Sequence, residues 1–110
     1  MISWEDFESV ELRIGTIIEV NEFPEARRPA YKLKVDFGPE VGIRKSSAQI
    51  TDLYDPETLL GKQVLAVTNF PPKQIGKFMS ECLVTGIKND EGAITLVSTD
   101  HKVSNGQRLI

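Results

Sequence analysis

Apolar side chains in the first half of this chain recur at every second position, which limits what it can fold into more than any other feature. Leu12, Ile14, Ile18 and Val20 share one parity around Thr16, and Leu33, Val35 and Phe37 alternate with Lys32, Lys34 and Asp36. A period of two gives a strand one buried and one wet face, whereas a helix needs apolar residues three and four apart. Both segments are therefore expected as strands. The EFPEARRPAYK stretch between them holds two prolines and is expected as a loop. FGPEVG is a hairpin connection into a third strand, VGIRKSSAQI, antiparallel to the second.

Beyond Ile50 the signals are shorter. ITDLYDPETLLGK has a helical start at Thr51-Asp52 and a break at Pro56, with Leu59, Leu60 and Gly61 closing a short helical turn. QVLAVTNF is expected as a buried strand and NFPPKQIGKFMS as an irregular loop. SECLVTGI and AITLVS follow as strands, the last introduced by the Asn89-Asp90-Glu91-Gly92 turn. Near the start, Ser3 followed by Glu5, Asp6 and Phe7 suits a short helical turn with acids in its first turn, where the helix dipole favours them. The sum is all-β: five or six short strands, one small helix in the middle and no βαβ rhythm. A small Greek-key barrel is its natural packing. The OB-fold is a five-stranded barrel of this kind, with a helix between strands 3 and 4; it binds ligands on its strand 2–3 face and at the loops after strands 1 and 4. Here those would be the Lys32 to Ser47 hairpin and the loops 23–31 and 88–93.

Size and charge remove whole classes of function. At 110 residues the chain fits one domain, 1–110. Its one cysteine excludes an intrachain disulfide, and its first twenty residues carry five acids and one arginine where a signal peptide needs a basic start and an apolar run. A cytoplasmic protein without a membrane span is expected. The net charge of −3 conceals a balance of −6 over residues 1–25, +4 over 26–50 and +3 over 62–88. The two basic segments can meet on one face after folding, or can be part of an ordinary solvated mixture. Catalysis has little to work with. The single histidine, His101, sits in a polar turn, and Cys82 lies inside an apolar strand where a small hydrophobe is expected. One Cys and one His cannot make a zinc site, the acids lack calcium-loop spacing, and neither a P-loop nor a GxGxxG occurs, so no metal or cofactor is expected.

Three segments do more than a stability argument requires. Phe23-Pro24-Glu25-Ala26-Arg27-Arg28 puts an aromatic, a proline and two guanidinium groups on one loop, with Phe23 and Arg28 as candidate ligand contacts. Arg44-Lys45-Ser46-Ser47-Ala48-Gln49 ends a strand in donors, and Asn69 to Glu81 mixes apolar and polar side chains around Pro71-Pro72. A stiff Pro-Pro loop spends little binding free energy on ordering itself. Phe78 and Met79 beside lysines suit an apolar peptide pocket, a base-stacking platform flanked by phosphate contacts, or plain core packing.

LRIGTIIEVNEFPEARRPAYKLKVDFG, IRKSSAQIT and KQVLAVTNFPPKQIGKFMSECLV together resemble the tRNA-binding-domain family of OB-folds, and in detail its small bacterial CsaA-type protein-export chaperones. The resemblance runs from about Phe7 to Ile110. Related tRNA-binding modules often read HPxAD in the first loop, where this chain has FPEAR, a departure that favours the chaperone branch. The resemblance implies a homodimeric, ATP-independent, non-enzymatic chaperone that binds unfolded or preprotein polypeptides and assists the preprotein translocation machinery, with tRNA as the alternative ligand. It implies a cleft carried by Arg44, Ser46, Ser47, Asn69, Lys73, Phe78, Met79, Ser80 and Glu81. It also implies dimerisation through terminal extensions outside the barrel, where Ile2, Trp4, Phe7, Val103, Leu109 and Ile110 are more apolar than free ends should be.

Overall fold

Strand β1 (Leu12–Glu22) organises the molecule, and the computed structural model describes all residues, 1–110. The first half of β1 pairs antiparallel with β4 (Gln63–Val67), from Leu12 opposite Val67 to Thr16 opposite Gln63. Its second half pairs with β2 (Tyr31–Asp36), which turns back into β3 (Ile43–Ala48). With β7 (Leu83–Val84) beside β4, the order is β3-β2-β1-β4-β7. Two hairpins stand apart, β5 (Lys73–Ile75) with β6 (Phe78–Ser80), and β8 (Gly86–Lys88) with β9 (Ile94–Leu96). The barrel nearly closes where β3 meets residues 80–82. Glu81 N donates to Lys45 O at 2.7 Å, Lys45 N donates to the Glu81 carboxylate at 2.9 Å, and Ser46 Oγ donates to Cys82 O at 3.1 Å. The result is a mostly β, five-stranded antiparallel barrel with short helices, as the alternation predicts.

The core is the inward parity of these strands: Ile17, Tyr31, Leu33, Val35, Phe37, Ala48, Val64 and Ala66, joined by Ile50, Leu59 and Cys82. Each removes its side chain from water at about 25 cal/mol per Å². β1 departs from the expected single parity. The pairing register shifts between Ile17 and Glu19, a β-bulge that re-aims every side chain after it. Ile17, just before the bulge, faces the core; Ile18 is the extra, exposed residue, Val20 after it packs back against the core, and Ile14 is buried on the parity opposite to Ile17.

Local chemistry explains the remaining differences. Pro56 begins helix α3 (Pro56–Leu59) rather than breaking one, because its missing N–H costs nothing at the first helical position. Asp55 caps that helix, accepting from Thr58 N at 2.8 Å. The FGPEVG connection holds one helical turn, α2 (Gly38–Val41). NFPPKQIGKFMS is not irregular: residues 73–80 form the β5–β6 hairpin across Gly76-Lys77, where Gly76 takes a φ of +61° that a two-residue hairpin turn favours. SECLVTGI splits into β7 and β8 around Thr85, whose N–H and hydroxyl both donate to Leu65 O.

The terminal segments are stitched to β1. Ile14 N donates to Gln107 O, Gly106 N to Ile14 O and Leu109 N to Leu12 O, at 2.7–2.9 Å. The C-terminal segment thus adds to the barrel edge rather than lying outside it. Helix α1 (Trp4–Glu8) starts from a capping box between Ser3 and Asp6. Arg108 donates to Glu8 O and Val10 O, holding the two ends together. Trp4 stacks on Phe7 at 5.9 Å, and both line a cavity of about 300 Å³ with Val10, Leu109 and Ile110. Ile2 is exposed nearby in sequence, whereas Val103 is tied instead to the Gln63 side chain.

Candidate binding cleft

The bulge in β1 leads into the loop 23–30, which returns the chain to β2 and places Phe23 beside the β5–β6 hairpin. Phe23, nearly buried, meets Phe78 with ring centroids 5.4 Å apart and planes tilted by 59°, an arrangement aromatic pairs favour. Lys32 Nζ lies 5.4 Å from the Phe23 centroid and Lys45 Nζ 5.3 Å from that of Phe78. A cleft of about 530 Å³ opens there, lined by Phe23, Glu25, Lys32, Gly76, Lys77 and Phe78. It continues over the sheet across Glu19, Asn21, Lys34 and Lys45.

Register explains this lining. Lys32 and Lys34 are the outward parity of β2, and the β2–β3 pairing sets Lys32 opposite Ser47 and Lys34 opposite Lys45. Arg44 and Ser46 have the inward parity. Ser46 is 0% exposed and bonded to Cys82 O, and Arg44 donates to Thr68 O at 3.0 Å and Glu81 O at 3.5 Å. These two residues hold the barrel closed; Ser46 offers a ligand nothing.

The other expected contacts divide in the same way. Ser80 Oγ accepts from Ser47 N at 3.4 Å and Glu81 accepts from Lys45 N, so the three fasten the hairpin to β3. Asn69 spends both ends of its amide on the N-terminal connection, accepting from Glu11 N and donating to Ser9 O. Glu11 beside it accepts from Arg13 Nε at 2.7 Å, and that bond holds its carboxyl below the usual range. Met79 follows Phe78 in a strand and takes the opposite face, lining neither part of the cleft. Lys73 lines a separate hollow with Phe70, Pro71 and Leu83, and Arg28 is exposed on the loop. The second wall of the cleft is the β5–β6 hairpin, not the 88–93 loop. Lys32, Lys34, Lys45 and Lys77 are cleft cations that the sequence did not single out, although the Lys-Leu-Lys-Val alternation contained the signal for Lys32 and Lys34.

Cys82 is buried, and burial pushes its thiol up to about 11. A folded-state value above the ordinary 9.0 means that the unfolded chain releases this proton first, so stability falls as pH rises from about 9 to 11. The slope is roughly 1.4 kcal/mol per pH unit at most. Urea midpoints at increasing alkaline pH should fall more steeply for the native sequence than for Cys82→Ala; parallel profiles would refute the assignment. No group of three or more His, Cys, Asp and Glu side chains is placed to hold a metal, and no helix is long and apolar enough to cross a membrane.

Comparison with known proteins follows the same outline. Residues 12–108 match the family described as "Putative tRNA binding domain". Crystal structures of chaperone CsaA are similar over the whole chain. That from Bacillus anthracis is 46% identical, with 100% of this chain and 99% of the other covered and a TM-score of 0.93. That from Picrophilus torridus is 44% identical with both chains fully covered and a TM-score of 0.93. A methionine–tRNA ligase from Thermococcus kodakarensis is 36% identical over 98% of this chain but only 14% of the ligase. The chain spans 14–16% of the length of such curated relatives.

Proposed function

This chain belongs to the tRNA-binding-domain family, and on that premise we propose that it is a CsaA-type, ATP-independent chaperone holding unfolded or export-bound polypeptides in the Phe23–Phe78 cleft. The observation that carries this reading is the make-up of the cleft. An apolar aromatic pair forms its floor, and its rim mixes Glu19 and Glu25 with Lys32, Lys34, Lys45 and Lys77. An apolar floor accepts client side chains, and a mixed rim suits a chain of varied charge better than a continuous polyanion. In this reading residues 1–110 act as one cytoplasmic, non-enzymatic domain. Two copies meet through Ile2, Trp4, Phe7, Val103, Leu109 and Ile110, and two clefts act on one long client with avidity. Delivery of clients to the preprotein translocation machinery completes the proposal.

Four lysines around an aromatic pair favour a second reading, tRNA binding, since stacked bases and phosphates use the same groups. Ionic strength separates the two. Protection of a heat-unfolded client, read by light scattering without ATP, should persist between about 50 and 200 mM salt, whereas binding through six phosphates loses roughly a thousandfold over that range. No protection at either concentration, with tRNA bound at the lower one, overturns the chaperone reading.

A further inference from the structure

Three ammonium groups in the cleft, those of Lys32, Lys45 and Lys77, lack any anionic partner. Lys34 Nζ reaches Glu19 at 3.6 Å, but neither Lys32 nor Lys45 forms an ion pair. Lys45 also sits directly opposite Lys34 in the β2–β3 ladder, a like-charge placement that destabilises a sheet. The four lysines and two glutamates of the lining leave the cleft at +2 in a chain of net charge −3. Lys32 stands at the Phe23 end of the aromatic pair and Lys45 at the Phe78 end. A side chain seated on the aromatic pair would thus have one uncompensated cation toward either end.

We infer that the cleft selects extended polypeptide segments in which an apolar side chain is flanked on both sides by carboxylates two positions away. This rests on the polypeptide reading above. In an extended strand, residues two apart share a face, so an apolar residue entering the Phe23–Phe78 floor carries its neighbours at ±2 toward Lys32 and Lys45. A carboxylate there gains a charge-assisted contact and relieves the Lys34–Lys45 repulsion. Glu19 and Glu25 oppose an unbroken run of phosphates, while discrete carboxylates at two places avoid them.

Fluorescence anisotropy with three short labelled peptides tests the preference; the peptides are identical except for Glu, Gln or Lys at ±2 from a central Phe. At about 50 mM salt the Glu peptide should bind about tenfold more tightly than the Lys peptide, with Gln between them. The difference should shrink to within about threefold in Lys32→Gln/Lys45→Gln, whose folding is checked by circular dichroism. Equal affinity of all three peptides, or a difference that survives in the double variant, overturns the preference and leaves the chaperone reading standing. Binding of none of them, together with no protection of an unfolded client, removes the chaperone reading itself. Displacement of the Glu peptide by a single-stranded RNA at lower concentration than by the Gln peptide assigns the cleft to RNA and overturns the inference.

Discussion

Gly15→Ala should lower the melting temperature by roughly 10 °C, although alanine is the better residue in most strands. A Cβ at position 15 would lie 2.6 Å from Val35 Cγ1 and 2.7 and 2.8 Å from two ring carbons of Phe37, distances at which neighbours must move. Val35 is 0% exposed and Phe37 1%, so neither has open space to enter. The backbone at Gly15 is not in the left-handed region, so the added methyl meets a problem of room rather than of conformation. Replacing glycine constrains the unfolded chain and stabilises by about 0.4–1 kcal/mol. Overpacking a closed core costs about 1–3 kcal/mol, and each kcal/mol moves the midpoint of a domain this size by roughly 4–8 °C. Overpacking wins. Val35→Ala removes the nearest clash, so the double variant Gly15→Ala/Val35→Ala should be more stable than the sum of the single changes by about 1 kcal/mol. Strictly additive urea midpoints would show that β1 and β2 do not approach so closely.

That close approach shows what the sequence of the strands discloses and what it conceals. Leu33, Val35 and Phe37 lie in the core as their alternation requires, because a regular strand preserves parity along its length. The same rule fails in β1, where a single bulge between Ile17 and Glu19 reverses parity without a proline or an unusual residue to mark it. Pro56 was ambiguous for a different reason. Proline both ends helices and begins them, and only the cap formed by Asp55 with Thr58 decides between the two. The β5–β6 hairpin is masked by Pro71-Pro72, although Gly76 between two alternating triplets is the local signature of its turn.

The cleft was legible in part. The segments 23–28, 44–49 and 69–81 do carry its aromatic pair and two of its four cations, Lys45 and Lys77. Which side chains within a segment face a ligand depends on hairpin register, and one step exchanges Arg44 and Ser46 for Lys45 and Ser47. The helical turn α2 sets that register, and the sequence does not announce its length. Residues rich in donors also have a second use. Ser46, Ser80, Glu81 and Asn69 spend their polar groups on joining parts of the chain, because a small barrel with an open seam must satisfy the backbone groups along it.

Phe78 and Met79 are adjacent in sequence, yet only the substitution of Phe78 should weaken binding. Phe78 forms the cleft floor with Phe23 and supports the Lys45 ammonium, whereas Met79 is 37% exposed on the other face of the hairpin. Phe78→Ala removes half of the apolar floor against which a client side chain would be buried, about 1.5–2 kcal/mol, so affinity for an unfolded peptide should fall about 10- to 30-fold. Met79→Asp should leave affinity within about twofold, since its side chain lines no part of the cleft. Phe23→Ala is a poorer probe: that ring is 5% exposed, and losing it costs about 3–5 kcal/mol of folding stability. Phe78 is half-buried and its loss costs less, so the urea midpoint of Phe78→Ala should stay close enough to that of the parent for affinity to be read on folded protein. Equal losses from Phe78→Ala and Met79→Asp would move the binding surface to the edge of the hairpin. A loss from Met79→Asp alone would place it on the opposite face of the hairpin, which Met79 shares with Gln74.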